Sequence, residues 1–324
     1  MAKKKETSSL VCALDFISLA QRDKGAPYQT HVNLSRNFAT AYDGVLAAGH
    51  KIDEDITACP HTVTLRAALA KCEGALAVTQ LDSGRLSIRS GKFKAFVACS
   101  QEAVISSTAP DPQCGVLNNA VRDALIALSP LIAENSQRVV TASALLGSMS
   151  AKATNGRVIM EYWHGIDLPP GLLVPKLFIN ALEKIKKKLV GFGFSQSSFT
   201  VYFEDASWLK TQLYNDVFPD FDRILNREHR PVTLPEGFAE ALDNVFEFVE
   251  DNRLRVRDGV VRSSDTENCG ASYEVHGLVA NVMLNAKDVK LIIKHVRSID
   301  FNGNNGITYF YGDNIRGALT QMKE

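Results

Sequence analysis

The amino-acid sequence predicts an α+β protein of three repeated units, each combining helices with antiparallel strands. Three observations carry that reading: self-similarity at a spacing of about 108 residues, period-2 alternation in short segments, and amphipathic helix-period segments at equivalent places in successive units. The 324 residues are 45% hydrophobic and 22% charged, a composition that excludes disorder and collagen and suffices for two or three cores. Lys+Arg 36 against Asp+Glu 36 leaves no net charge, so a polyanion site on this chain has to be local.

Lys3, Lys4 and Lys5 ahead of the apolar run Leu10 to Ala20 have the outline of a signal peptide. Asp15 interrupts the run, and no small-residue cleavage site precedes Arg22, Asp23 and Lys24, so the segment reads as a basic tail leading into an amphipathic helix. Phe38 to Gly44 then predicts a strand running into an Asp-Gly turn, and Thr62 to Lys71 a helix with Leu65 and Leu69 inward and Arg66 and Lys71 outward. Leu86 and Ile88 alternate with Arg85, Ser87 and Arg89 as a half-exposed strand. Ala109-Pro110-Asp111 closes the unit.

The second unit repeats the plan with a strand and Asn-Gly turn at Ala151 to Gly156. Pro175 to Lys188 predicts a helix whose Phe178, Ala181, Leu182 and Ile185, with Leu189 beyond its end, oppose Lys184, Lys187 and Lys188. Phe218-Pro219-Asp220 matches Ala109-Pro110-Asp111 as the closing segment. The third unit follows from helix spacing and remaining length: a short helix over Pro235 to Asn244, a strand over Asn252 to Asp258, and a helix over Leu284 to Arg297. In that strand Arg253, Arg255 and Arg257 read as solvent-facing against Leu254 and Val256. In the last helix Val289, Ile292, Ile293 and Val296 oppose Lys287, Lys290, Lys294 and Arg297. The units are therefore 1–112, 113–228 and 229–324.

No nucleotide-loop, zincin, nucleophile-elbow or dinucleotide-fold motif occurs, so neither an enzyme nor a bound cofactor is expected. Asp53, Glu54 and Asp55 lack the calcium-loop pattern and read as a solvated loop. Cys59, His61 and Cys72 fit no zinc spacing, so no metal site is expected. The six cysteines contain no C-x-x-C, and no apolar stretch reaches the roughly 18 residues of a membrane span, which suits a reducing cytoplasm. One basic helix face is ordinarily a solvated face. Its recurrence in successive units is informative, because symmetric units would aim those cations at a shared axis, where a polyanion fits.

Several segments together resemble the bacterial DNA sliding-clamp family, the β subunit of the replicative polymerase, in a divergent and phage-like form. Leu209 to Leu225, with its F-P-D core, is similar to the segment closing that family's middle domain; Ala153 to Arg157 resembles its A-T-D-G-H turn, Val174-Pro175-Lys176 its helix start, and Gly84 to Gly91 a strand ending R-S-G. The likeness covers residues 10 to about 228 well. Arg157 replaces the turn's His, Asn226 a frequent Pro, and the tail Ala318 to Glu324 lacks the family's M-P-M ending.

The resemblance implies three domains, each of two helices and two antiparallel sheets, closing with a second chain into a head-to-tail homodimeric ring around duplex DNA. It implies a processivity factor in DNA replication that tethers a DNA polymerase and meets a clamp loader through short peptide motifs. DNA would be met without sequence preference by Arg66, Lys71, Lys184, Lys187, Lys188, Lys290, Lys294 and Arg297 on helices, and by Arg22, Lys24 and Arg138 on loops. Partner peptides would lie in a groove walled by Thr154, Gly156, Arg157, Val158, Ile159, Ile224, Leu225, Leu319, Thr320 and Met322. A ring-forming adaptor without DNA in its hole would share every strand and helix signal.

Overall fold

Strands and helices form where the two hydrophobic periods put them, and the computed structural model describes them for residues 8–101, 109–266, 269–303 and 305–323. The basic tail Lys3 to Lys5 and the terminal Glu324 lie outside the described residues. By compactness the chain divides into two units, Met1–Asn119 with Leu177–Leu213, and Ala120–Lys176 with Tyr214–Glu324.

In the first unit, helix Ser9–Ile17 starts at Ser8, whose hydroxyl accepts from Val11 N–H, and buries Leu10, Ala13, Leu14 and Ile17. Helix Thr62–Leu69 is capped by the His61 ring and buries Leu65 and Leu69. A seven-stranded antiparallel sheet runs edge to edge through Asn33–Ser35, Phe38–Tyr42, Leu46–Lys51, Trp208–Gln212, Ser198–Phe203, Leu189–Phe194 and Gly115–Val116. Its central pairing sets Ala47 opposite Lys210 and Gly49 opposite Trp208. A Cβ at Gly49 would fall 2.3 Å from the Trp208 indole, so only glycine admits that ring against the strand. A three-stranded sheet is made by Ala77–Gln80, Leu86–Ser90 and Phe93–Val97.

The second unit reuses the arrangement in an eight-stranded sheet ordered Leu172–Pro175, Ser143–Leu146, Ser150–Thr154, Val158–Trp163, Ile315–Thr320, Ile307–Tyr311, Ser298–Asp300 and Val232–Thr233. Its central pairing sets Ile159 opposite Ala318. A four-stranded sheet runs Ser272–Glu274, Val260–Arg262, Arg253–Arg257 and Asn281–Asn285. Helix Phe238–Phe246 buries Phe238, Ala241, Leu242 and Val245. Helix Ala286–Ile292 begins behind the Asn285 cap and passes into a tight turn at Ile293–His295. The α+β class and the antiparallel sheets are as the sequence predicts.

Element edges differ from the sequence reading for local reasons. Helix Lys176–Lys184 stops short of Lys188, because Leu189 already opens a strand, yet Ile185 and Leu189 remain buried. Leu284 belongs to the Asn281–Asn285 strand, and the expected Pro235 helix starts at Phe238. Arg255 is not solvent-facing: it is buried at 6% exposure, its guanidinium reaching Asp251 at 3.0 Å and Asp265 at 2.7 Å and donating to the Ser263 carbonyl. Alternation put it on the polar face, and segment 263–265 folds over that face. The supposed tail from Ala318 is, through Thr320, a strand at the centre of its sheet, with Ala318 and Leu319 buried.

Candidate functional site

The site is built on the Asn155-Gly156 turn of the second unit. Asn155 Oδ1 accepts from the N–H groups of Arg157 at 2.9 Å and Val158 at 2.8 Å, and Gly156 adopts φ 92°, a left-handed conformation that glycine enters without strain. This turn delivers Arg157 to the mouth of the Val158–Trp163 strand and sets Ile159 between Thr154 and Ala318 in the sheet. The link helix Asp222–Leu225 packs Leu225 into a buried cluster with Tyr309 and Ala318. Ile159, Phe221, Ile224 and Ile307 lie half-buried on that cluster and form an apolar floor.

Above the floor is an open cavity of about 700 Å³. Pro219 and Phe221 of the F-P-D-F segment line one side, and Val139 and Val140 of the short helix Val139–Ala142 another. Its rim is polar, with Thr320, Arg138, Arg157 and Asp216, and Thr154 lies buried in the lining. A concave apolar floor with a polar rim accepts Leu- or Phe-sized side chains from an extended segment.

Of the residues the sequence assigned to the groove, Thr154, Gly156, Arg157, Ile159, Ile224, Leu319 and Thr320 come together around this cavity. Val158 and Leu225 are buried at 0% and 2% exposure, as core rather than wall. Met322 stands apart from the lining, its N–H donating to the Met283 carbonyl at 2.8 Å. Sequence reasoning missed Val139, Val140, Phe221, Ile307 and Ala318. Phe221 adjoins the F-P-D segment and Ile307 heads an alternating strand, so both carried a signal; Val139–Ala142 is a single turn and carried none. Arg138, expected on DNA, lines this cavity. Arg157 donates through Nε to Asp288 at 2.5 Å, and this hydrogen bond holds its guanidinium pKa above the ordinary arginine value.

The remaining cations divide by environment. Arg22, Lys24, Lys71, Lys184, Lys188 and Lys294 are exposed. Arg66 is exposed but paired with Asp15 at 2.7 Å; Lys290 lies 3.7 Å from Asp243 and over the Phe246 ring, and Arg297 lies 3.7 Å from Asp313. Lys187 departs from the expected solvated stripe. It is half-buried over the Phe16 ring and 2.5 Å from Asp205. Burial alone would raise the Asp205 carboxyl, but hydrogen bonds from Lys187 and Ser207 outweigh it and hold the group at about 2. Among the described residues no group of three or more His, Cys, Asp or Glu is arranged to hold a metal, and no helix is long and apolar enough to cross a membrane.

No family model matches the sequence, and no curated protein is similar to it in sequence. Solved structures are similar in fold over nearly the whole chain. The β subunit of Streptococcus pyogenes DNA polymerase superposes with a TM-score of 0.79 at 14% identity, covering 97% of this chain and 98% of that one. This is the sliding-clamp fold. A Helicobacter pylori β clamp bound to a DNA ligase peptide has the same fold at TM-score 0.76 and 14% identity, covering 97% and 98%. A Pseudomonas aeruginosa clamp bound to griselimycin follows at 0.76 and 13%, covering 98% and 97%. At these identities the clamp fold is what is shared.

Proposed function

We propose that this protein is a DNA polymerase processivity factor of the sliding-clamp type, with no catalytic activity of its own. In this reading the three repeats, 1–112, 113–228 and 229–324, are clamp domains, and two chains join head to tail to enclose duplex DNA. The observation that carries it is the apolar groove beside the Asn155-Gly156 turn, on a fold whose solved examples include one holding a DNA ligase peptide. The groove would take short peptides of the polymerase and clamp loader, with Leu or Phe anchors on Ile159, Ile224 and Phe221. Exposed cations, among them Arg22, Lys24, Lys71, Lys184, Lys188 and Lys294, would meet phosphates loosely and without sequence preference. Replication in the cytoplasm is where such a protein would act.

One sheet edge supports the dimer. In each large sheet a hairpin strand, Leu46–Lys51 or Val158–Trp163, pairs with the last strand of a three-strand meander. The meander Ala77–Gln80, Leu86–Ser90, Phe93–Val97 has no such hairpin beyond Phe93–Val97 among the described residues, and that edge carries Phe96 at 51% exposure. A second copy would cover it. The deciding experiment is retention on closed circular duplex DNA: a ring stays bound and is released when the circle is linearised. Equal retention on both forms, or a monomer by light scattering at micromolar concentration, would reject the ring; a dimer retained on neither form would leave the adaptor reading.

A further inference from the structure

One wall of the groove is held in place by a charge that the sequence assigns no role. Asp288, in helix Ala286–Ile292, is 1% exposed. Its carboxylate accepts from Asn155 Nδ2 at 2.8 Å, from Arg157 Nε at 2.5 Å and from Arg157 Nη2 at 3.1 Å. Both donors' residues belong to the turn that shapes the groove, and the Asn155 carbonyl oxygen simultaneously accepts from the turn's own N–H groups. The turn is thus gripped from within and from the helix. Arg157 also lines the cavity, next to the apolar floor of Ile159 and Ala318.

A guanidinium is a fork that seeks a carboxylate, and where it finds one decides what it offers a ligand. Bound to Asp288 it is already satisfied, so a peptide acid arriving at this wall must compete with an intramolecular, bidentate partner. Detached from Asp288 it would be an unpaired cation at the mouth of an apolar cavity, repelling nothing acidic and shielding the floor from apolar side chains. We infer that Asp288 is a positioning residue that holds the Arg157 guanidinium against the Ala286–Ile292 helix and thereby makes the groove select uncharged peptides with apolar anchors. The inference rests on the peptide-groove reading above and adds the chemistry that the groove prefers.

The test uses two fluorescein-labelled peptides, one of Gln, Leu, Ala and Phe only, the other with an Asp beside the Leu anchor. Binding of each to the full chain is read by anisotropy for wild type, Asp288→Asn, Arg157→Gln and the double variant. Asp288→Asn should weaken the neutral peptide about tenfold and shift the preference toward the acidic peptide about tenfold, and the acidic preference should fall with added salt. The double variant should restore the neutral peptide to within about twofold of Arg157→Gln. Arg157→Gln alone, which keeps Asp288 paired with Asn155 but removes a lining side chain, should weaken both peptides by the same factor and gain no acidic preference. Equal weakening of both peptides by Asp288→Asn without restoration in the double variant would reduce Asp288 to a structural contact and overturn the inference. So would a shift in the neutral-to-acidic preference above about tenfold for Arg157→Gln, which would make the guanidinium a direct peptide contact, and this arm decides the matter even where Asp288→Asn does not fold. Wild type binding neither peptide would overturn the groove reading and the inference with it; wild type binding with all variants unchanged would overturn the inference alone.

Discussion

The two large sheets contain the same cleft twice, filled in opposite ways. Strand registers make the correspondence residue by residue: Ala47 opposite Tyr42 and Lys210 in the first unit stands where Ile159 opposite Thr154 and Ala318 stands in the second. Likewise Ser198 and Thr200, paired with Gln212 and Lys210, occupy the places of Ile307 and Tyr309, paired with Thr320 and Ala318. In the second unit these positions are apolar or small and leave a cavity of about 700 Å³. In the first, Ser198, Thr200 and Lys210 are polar, and they draw in Asp111 from the closing Ala-Pro-Asp segment. Its carboxylate, 6% exposed, receives Ser198 Oγ at 2.9 Å, Thr200 Oγ1 at 2.8 Å and Lys210 Nζ at 3.1 Å, and about 180 Å³ of cavity remains. Two meanders with one backbone plan therefore give a plug and a groove, and the choice rests on three side chains.

The comparison breaks most severely if the plug loses its cation. Lys210→Met leaves Asp111 buried with hydroxyl partners only, and should destabilise the first unit by about 3–5 kcal/mol in urea unfolding, with peptide binding by the folded fraction unchanged. A loss under about 1 kcal/mol would show that the hydroxyls suffice. The reverse graft, Ala318→Lys, carries the first unit's cation into the second without its carboxylate. Peptide binding should fall on the order of a hundredfold, because an ammonium then stands on the apolar floor, and retention of affinity would place the ligand elsewhere.

A smaller contrast lies at the turn before each sheet's last meander strand. Lys187 meets Asp205 at 2.5 Å in the first unit, whereas Arg297 and Asp313 are 3.7 Å apart and largely exposed in the second. Asp205 is held at about 2 against an ordinary 3.8, so its stabilisation is fully present above about pH 4 and disappears as the pH falls through about 2. Lys187→Ala should cost under about 1 kcal/mol at pH 7, since the carboxylate is partly exposed, and the gap to wild type should close across that window. Arg297→Ala should show no such pH dependence in the same melts. Least disruptive of all should be charge reversal at Lys184 with Lys188, or at Lys294 with Arg297. Either pair should leave stability within about 0.5 kcal/mol and lower the salt slope of DNA retention by about 2. An unchanged slope for one pair would mean that only the other unit meets DNA.

The basic stripes and the turn were legible in the sequence because both depend on near-neighbour chemistry. Lys287 and Lys290 emerge opposite Val289 and Ile292 simply because a helix repeats every 3.6 residues, whereas Lys294 and Arg297 lie beyond the end of that helix, and Asn-Gly forms its turn through bonds to residues two and three ahead. Lys187 and Arg255 misled for the converse reason. Arg255 sits on the polar side of its strand and Lys187 in the loop beyond its helix, and each is met by a separate segment bearing a carboxylate, Asp265 in one case and Asp205 in the other. Periodicity contains no record of such long-range partners. The groove residues were readable as a set only through family resemblance, and Val158, Leu225 and Met322 show its limit: a motif names a neighbourhood, while register decides which side chains reach the cavity and which support it from below.

The division of the chain also imposes a timetable on synthesis. Every residue of the first unit has been made once Leu213 is added, whereas the second unit still lacks everything from Tyr214 onward. Its early strand Val158–Trp163, already paired with Ser150–Thr154, must wait for Ile315–Thr320 to supply its second neighbour, long after the Leu177–Leu213 excursion has been made. Until then the Val158–Trp163 strand is a bare, β-branched edge beside an unfinished floor, the kind of surface on which nascent chains aggregate or recruit chaperones. A ribosome paused after Leu213 and before Ile315 would hold a complete plug and no groove.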